Sequence, residues 1–186
     1  FERLIRGLSL IHCVDVLTFD LDPSAALSNV KNCYTVQLPN VHQRISNFFI
    51  SIFSVNPIDI LWANKILKKI KPNRFQQYDL IFSFVSSHHY SSLIAGNIIS
   101  KKYSIKHFVY SVDAIPAPNG WMENGLLLKG TKRFIAKQLS KIDGLFSANS
   151  KMLKYQLSTF TTSKRIISDV LYNPSPDGLQ RYSSSL

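Results

Sequence analysis

Short apolar runs alternate with longer amphipathic segments along this chain, and between positions 78 and 150 the alternation is regular. Three runs there, 78–85, 107–112 and 145–148, are rich in aliphatic and aromatic residues, and each stops abruptly at polar residues. Continuous apolar runs of this length are typical of buried parallel strands. The segments between them carry apolar residues at helical spacing. The pattern therefore predicts an α/β unit of strand, helix, strand, helix and strand.

The flanking segments continue this alternation. Further strands are predicted at 14–19, 34–38 and 165–172, and helices at 1–11, 57–71, 91–102, 130–144 and 150–157. The start at Asn56-Pro57 is well marked, because an amide side chain caps a helix and proline fits its first turn. Ser91 and Ser92 are expected to cap their helix in the same way. We expect an α/β fold with a Rossmann-like, doubly wound, mostly parallel sheet and helices on both faces.

The segment 42–53 allows two interpretations. It places large apolar residues, among them Phe48, Phe49 and Ile50, behind the basic residue Arg44. An apolar stripe of this kind usually faces the core of a domain. The alternative is a surface that contacts an acidic membrane, together with the lysines at 65, 68, 69 and 71. The lysines at the end of that helix also have a structural explanation, since they complement its dipole.

Polar residues follow the carboxyl end of each of the three central strands. In open parallel sheets, ligands bind beyond these ends, so the polar residues are expected to lie along one crevice. The predicted substrate-binding residues are Ser86, Ser87, His88, His89, Asp113, Asn149 and Ser150.

The chemistry of these residues suits a ligand rich in hydroxyl groups. His88 and His89 precede a helix, where backbone amides favour anions and an imidazole exchanges hydrogen bonds with a sugar hydroxyl; packing within the protein is the alternative. Asp113 is the candidate catalytic residue, because its carboxylate can accept the proton of a hydroxyl, although such a residue also holds its own loop by bonding nearby amides. The proline-rich loop 114–121 is expected to form a lid or wall of the crevice.

Length and composition fit one globular domain. The chain has 186 residues, of which 45% are hydrophobic, enough for a core of its own. Its apolar runs fall short of the roughly 20 residues of a membrane-spanning helix, and it has no signal-peptide pattern at its start. Two cysteines, Cys13 and Cys33, lack the spacing of metal or disulfide sites. A cytoplasmic location, with contact to the inner face of the membrane, is expected.

The net charge of +11 favours an anionic partner. Nucleic acid is not expected, because the basic residues are spread over several helices and the aromatic residues lie within apolar runs, away from a stacking platform.

Dinucleotide, P-loop, zinc-protease and serine-hydrolase motifs are absent from the sequence. The histidines form no metal-binding set, so neither a metal nor a cofactor is expected.

The order of these segments resembles the amino-terminal half of a group 1 retaining glycosyltransferase, the large family with two facing Rossmann-like domains that is also called family four. The segments that carry the resemblance are Tyr-Asp-Leu-Ile at 78–81, Ser-Ser-His-His-Tyr at 86–90, Ile-Lys-His-Phe-Val-Tyr-Ser-Val-Asp-Ala-Ile-Pro at 105–116, Lys-Ile-Asp-Gly-Leu-Phe-Ser-Ala-Asn-Ser at 141–150 and Val-Leu-Tyr-Asn-Pro at 170–174. The family's pair of glutamates in the second domain has no counterpart here.

The resemblance implies an enzyme that transfers a sugar from a nucleotide-sugar donor to a glycan or lipid-linked acceptor, as in cell-surface polysaccharide synthesis. Residues 1–172 would form the acceptor-side domain, without its first strand, and 173–186, beginning at Asn173 and Pro174, the linker toward a second domain that holds the donor. Such a half is expected to be inactive alone. The alternatives are another α/β nucleotide- or sugar-binding domain and a basic nucleic-acid-binding module.

Overall fold

The computed structural model describes residues 2–18, 30–53, 56–86, 90–118, 125–160, 162 and 164–171, without the side chains of 2, 3, 43 and 125–129. Its helices are α1 (Glu2–Ser9), α2 (Gln43–Phe53), α3 (Pro57–Lys69), α4 (Pro72–Phe75), α5 (Ser91–Tyr103), α6 (Gly125–Leu139) and α7 (Ser150–Ser158). Its strands are β1 (Asp15–Thr18), β2 (Asn32–Thr35), β3 (Leu80–Val85), β4 (Lys106–Ser111), β5 (Gly144–Ser147) and β6 (Ile167–Val170).

The strands form two parallel sheets. Strands β3, β4, β5 and β6 are hydrogen-bonded neighbours in that order, and β1 pairs with β2. Helices connect successive strands of the larger sheet, which is the arrangement that parallel pairing requires. The predicted α/β, Rossmann-like fold with parallel sheets is confirmed.

Helix α3 links the smaller sheet to the main core. Its Trp62 indole donates a hydrogen bond to the carbonyl of Val36, just beyond β2, at 2.5 Å. On the same side of the helix, Ala63 and Ile66 are fully buried. The Tyr78 hydroxyl, just before β3, also donates to the Asp15 carboxylate in β1. These contacts join the β1–β2 pair to the body of the domain.

Several predicted boundaries are correct and others are wrong. Helix α3 begins as expected, since the Asn56 side chain accepts a hydrogen bond from the Ile58 amide at 3.0 Å and Pro57 occupies the first turn. Helix α6 begins at Gly125 and ends at Leu139, so the predicted start at Gly130 is wrong. Gly144 does not end that helix either, because it is the first residue of β5.

Helix α5 is not capped by serine, contrary to expectation. Tyr90 occupies the cap position without a side-chain hydrogen bond to the helix. The Ser91 hydroxyl donates instead to the carboxylate of Asp59, and the Ser92 hydroxyl donates to the carbonyl of Phe84. Both serines therefore connect the first turn of α5 to other elements, and neither satisfies the helix's own amides.

The interpretation of segment 42–53 as a core-facing stripe is wrong. In α2, the side chains of Phe48, Phe49, Ile52 and Phe53 are exposed, whereas Ser46 is buried. Among the described residues no single helix is long and apolar enough to cross a membrane. Helices α2 and α3 satisfy the criteria of length and composition only as a bent pair, Arg44–Phe53 with Pro57–Lys69.

Candidate functional site

The carboxyl ends of β3, β4 and β5 lie side by side at one edge of the larger sheet. Val85 is in register with Ser111, and Ser111 with Ser147, so these three strands end at the same level. Ser86, Asp113 and Asn149 each follow one of these neighbouring ends within two residues. This is the edge at which ligands bind in open parallel sheets.

Several predicted residues lie outside the part of the chain that the structure describes. They are the substrate-binding candidates Ser87, His88 and His89, the lid residue Trp121, and the linker residues Asn173 and Pro174.

Asn149 and Ser150 have a structural role at this edge. The Asn149 side chain accepts a hydrogen bond from the Met152 amide at 2.9 Å and so caps helix α7. Ser150 is the first residue of that helix, and both residues are exposed. An asparagine just before a helical pattern is a typical cap, so the sequence carried this signal. The cap holds the amino end of α7 beside the end of β5.

The loop after β4 is a fixed wall of this edge over its described part. Residues 114–117 are buried. The Gln156 amide donates to the carbonyl of Asp113 at 3.1 Å, and the Tyr155 hydroxyl donates to the carbonyl of Pro116 at 2.9 Å. The Ser111 hydroxyl also donates to the Asp113 carbonyl. Helix α7 therefore anchors the loop, and Asp113 is held in a defined position.

A buried carboxylate and a buried phenol lie near Asp113, and the sequence pattern indicated neither. Asp59, from the first turn of α3, is 2% exposed and accepts the Ser91 hydroxyl; Tyr90, which precedes α5, is 7% exposed. Burial, and then the carboxylate of Asp59, raises the pKa of Tyr90 well above its usual range, although a hydrogen bond with the backbone of Ala117 lowers it; Tyr155 and Asp113 raise it further. Tyr90 thus stays protonated at neutral pH and keeps an O–H donor.

These residues were missed because of their sequence context. An acidic residue three positions after a helix cap is common for dipole reasons alone, so Asp59 carried no sign of burial. Tyr90 lies between a predicted loop and a predicted helix, where aromatic residues need no special explanation. Only the packing of α3 against α5 brings Asp59 to Ser91 and Tyr90. The three elements together place carboxylate and phenol groups at the carboxyl edge of the sheet.

The opposite edge of the sheet carries an ion-pair cluster around Asp143. Lys164 lies 2.9 Å and Lys106 3.7 Å from its carboxylate, and the amide of His107 donates to it at 2.9 Å. Partial burial alone would raise the pKa of Asp143, but the His107 amide and the Lys164 ammonium lower it below its usual range. The cluster fixes the starts of β4 and β5, at the edge away from the predicted crevice.

The described residues contain no group of three or more His, Cys, Asp or Glu side chains that could hold a metal ion. At the carboxyl edge, the described carboxylate, phenol and amide groups can exchange hydrogen bonds, and a carboxylate can accept a proton.

Comparisons with known proteins identify no family for this chain. No known family matches it, and a search of curated proteins finds no significant match. The established description is an α/β domain with parallel sheets. The resemblance to group 1 glycosyltransferases stays a prediction from the order and spacing of segments.

Proposed function

We propose that this chain is the acceptor-side half of a glycosyltransferase, which moves a sugar from a nucleotide-sugar donor to a glycan or lipid-linked acceptor. The observation that carries the proposal is the position of Asp113 beyond the aligned carboxyl ends of the strands, with Ser86 and Asn149 beyond the neighbouring ends and the phenol of Tyr90 within electrostatic range. Carboxylates accept hydrogen bonds from hydroxyl groups, and a protonated phenol donates one in return. This combination suits a ligand that presents several neighbouring hydroxyl groups.

Asp113 is the residue we expect to act on the acceptor. When a hydroxyl oxygen of the acceptor forms the new glycosidic bond, the bond between the sugar and the donor's phosphate oxygen breaks and the nucleotide leaves with the electron pair. The proton of the hydroxyl must also leave, and a carboxylate within hydrogen-bond reach can accept it. Anchoring by Gln156 and Ser111 keeps the backbone of Asp113 fixed. A fixed position matters because proton acceptance depends strongly on geometry. The donor's nucleotide and diphosphate would be held by a separate domain, as the resemblance implies.

Carbohydrate binding by the chain itself tests this proposal. A panel of soluble oligosaccharides is screened by saturation-transfer NMR against the 186-residue chain. We expect weak binding of a subset, which is lost in Asp113→Asn and reduced in Tyr90→Phe, since each variant removes a polar contact at the carboxyl edge. Circular dichroism establishes that the variants are folded.

The matched control is Asp79→Asn, which removes an exposed carboxylate just before β3, at the other end of the sheet. This variant should bind like the wild type. The proposal fails if no carbohydrate binds, or if Asp113→Asn binds as well as the wild type. Turnover of a nucleotide-sugar by this chain alone would contradict the assignment of donor binding to a separate domain.

A further inference from the structure

Helix α2 presents a continuous apolar face to solvent. Five large side chains on it are between 39% and 59% exposed: Ile45, Phe48, Phe49, Ile52 and Phe53. At about 100° per residue, they fall within an arc of about 140° on one side of the helix. Exposed apolar residues are ordinary when scattered, but a contiguous group of this size marks an interaction surface.

Helix α2 contacts α6 and α3, and its described residues that are buried or half-buried lie on a narrow strip beside this face. Ser46 is 3% exposed, and its hydroxyl donates to the side chain of Asn56 at 3.0 Å; Ile50, one turn later, is half-buried. The rings on the exposed face contact one another instead, with centroid distances of 6.2 Å for Phe48–Phe49 and 5.5 Å for Phe49–Phe53. The helix is therefore attached through the side that carries Ser46 and Ile50, with its aromatic side outward.

The exposed face of α3 changes from apolar to basic along its length. Ile60 and Leu61, in the turns nearest α2, are 42% and 44% exposed. Lys65 and Lys68 follow at helical spacing on the same side, and both are exposed. An apolar region followed by a basic one is the arrangement found in proteins that lie on lipid surfaces, with apolar side chains in the interfacial layer and lysines at the headgroups.

We propose that the exposed faces of α2 and α3 form a docking surface for an acidic membrane. The aromatic and aliphatic residues of α2 enter the interfacial layer, and Lys65 and Lys68 contact anionic headgroups. Charge complementarity favours an acidic membrane over a second copy of this chain. The chain carries a net charge of +11, so a second copy would bring like charge to the surface. A surface that carries both phenylalanine and lysine side chains fits the boundary between acyl chains and headgroups. The exposed residues of this surface differ from the residues of the proposed acceptor site, so this proposal does not rest on the proposed sugar transfer.

Flotation with vesicles tests the docking surface. The 186-residue chain is mixed with phosphatidylcholine vesicles that contain or lack phosphatidylglycerol, at low and at high salt. We expect binding to the acidic vesicles only, weakened by salt. The triple variant Phe48→Ser/Phe49→Ser/Phe53→Ser should bind at least about tenfold more weakly, because it removes the inserted rings. The variant Lys65→Gln/Lys68→Gln should also lose about tenfold in binding, with less dependence on salt.

Matched variants elsewhere on the surface test whether vesicle binding depends on this face in particular. The alternative is binding through any exposed apolar residue or any positive charge. Leu157→Ser/Ile167→Ser removes exposed apolar side chains from α7 and β6, and Lys151→Gln/Lys154→Gln removes two exposed charges from α7. The apolar control should bind the acidic vesicles within about twofold of the wild type. The lysine control should lose less than the α3 lysine variant, since its charges lie off the docking surface.

Three outcomes overturn the proposal. The first is wild-type protein that fails to bind acidic vesicles, and the second is equal binding to neutral and acidic vesicles. The third is a wild-type dimer in sedimentation that the triple phenylalanine variant converts to a monomer, with vesicle binding unchanged by that variant. In that case the α2 face is an interface between two copies of this chain.

Discussion

Helices α5 and α2 are both rich in apolar residues, yet they lie in opposite environments. In α5, the side chains of Leu93, Ile94 and Ile99 are buried against the sheet and α3. In α2, the phenylalanine rings are exposed and the buried residue is Ser46. Apolar content therefore does not decide which helix enters the core. The comparison predicts that packing around α5 contributes strongly to the stability of the domain, whereas the exposed apolar face of α2 contributes little to it.

The interface between α5 and the sheet contains a buried hydrogen-bond network around His107 of β4. Its Nδ1 lies 2.9 Å from the side-chain oxygen of Asn97, and its Nε2 lies 2.8 Å from the hydroxyl of Ser83. The amide nitrogen of Asn97 donates to the main chain and the side chain of Gln138. The Asn97 oxygen therefore faces the ring and can accept a hydrogen bond from Nδ1–H, whereas Nε2 faces the Ser83 hydroxyl, which also donates to the carbonyl of Ser92 at 3.0 Å.

Gly96 is the point of closest approach between α5 and this network, and its substitution should have the largest effect. A Cβ atom there would lie 2.3 Å from Nε2 of His107 and 2.8 Å from the Ser83 hydroxyl oxygen. In Gly96→Ala, either the ring moves and its hydrogen bonds break, or α5 shifts away from the sheet. We expect a loss of about 3 kcal/mol or more in the free energy of unfolding, measured by urea denaturation.

Gly7→Ala is the matched control for this prediction. Gly7 lies in the helix α1, and a Cβ atom there would meet nothing within 4 Å. Since alanine favours a helix more than glycine does, this variant should be unchanged or more stable by up to about 1 kcal/mol. If Gly96→Ala were as stable as Gly7→Ala, the tight packing of α5 against His107 would be wrong.

The second prediction concerns the pH dependence of the same interface. Burial lowers the pKa of His107 to about 4, even though the carboxylate of Asp143 favours the charged ring. The unfolded chain, with an ordinary histidine pKa near 6.5, binds the proton more readily than the folded protein does. The contribution of His107 is thus fully present above pH 6.5 and is lost as the pH falls through the folded pKa, about 4. The loss is on the order of 3 kcal/mol.

Urea unfolding curves between pH 7 and pH 4.5 measure this effect. The wild type should lose stability steadily over that range, and His107→Gln should show a shallower dependence, because it has no imidazole to protonate. His12→Gln, which removes an exposed histidine, should keep the wild-type slope. The pKa of Asp143 is lowered below the ordinary aspartate range. This carboxylate therefore titrates at pH values below the range of these measurements. Identical slopes for wild type and His107→Gln would show that the ring is not the acid-sensitive group.

The sequence predicted the order of the central elements because apolar runs and helical spacing are local signals. Strands β3, β4 and β5 were placed correctly, and their parallel pairing follows from the helices between them. The same signals fail where contacts join distant positions. Asn97 meets Gln138 across 41 positions, and Ser91 meets Asp59 across 32. The periodic pattern of apolar residues contains no information about such distant pairs. The polar groups of the carboxyl edge were therefore only partly predicted.

The side of α2 that faces the core could not be predicted from the local sequence pattern either. Periodicity shows that the helix has an apolar side, but either side can meet the core. Here the Ser46 hydroxyl pairs with Asn56, the cap of α3, on the inner side of the helix, and the phenylalanine rings lie on the outer side. The interpretation as a core stripe followed the usual case, in which the apolar side of a helix faces the core.

The smallest expected effect is on the exposed face of α2. Phe53 is 59% exposed, and its ring contact is with Phe49 on the same helix. Phe53→Ser removes little buried surface, and phenylalanine and serine have similar helix propensities, so its free energy of unfolding should stay within about 1 kcal/mol of the wild type. Leu93→Ala on α5, where the leucine is fully buried, should cost about 2–5 kcal/mol. Urea denaturation of the two variants in parallel measures the difference directly. Equal destabilisation would mean that the α2 face packs within the protein in solution, and the contrast between the two helices would then not hold.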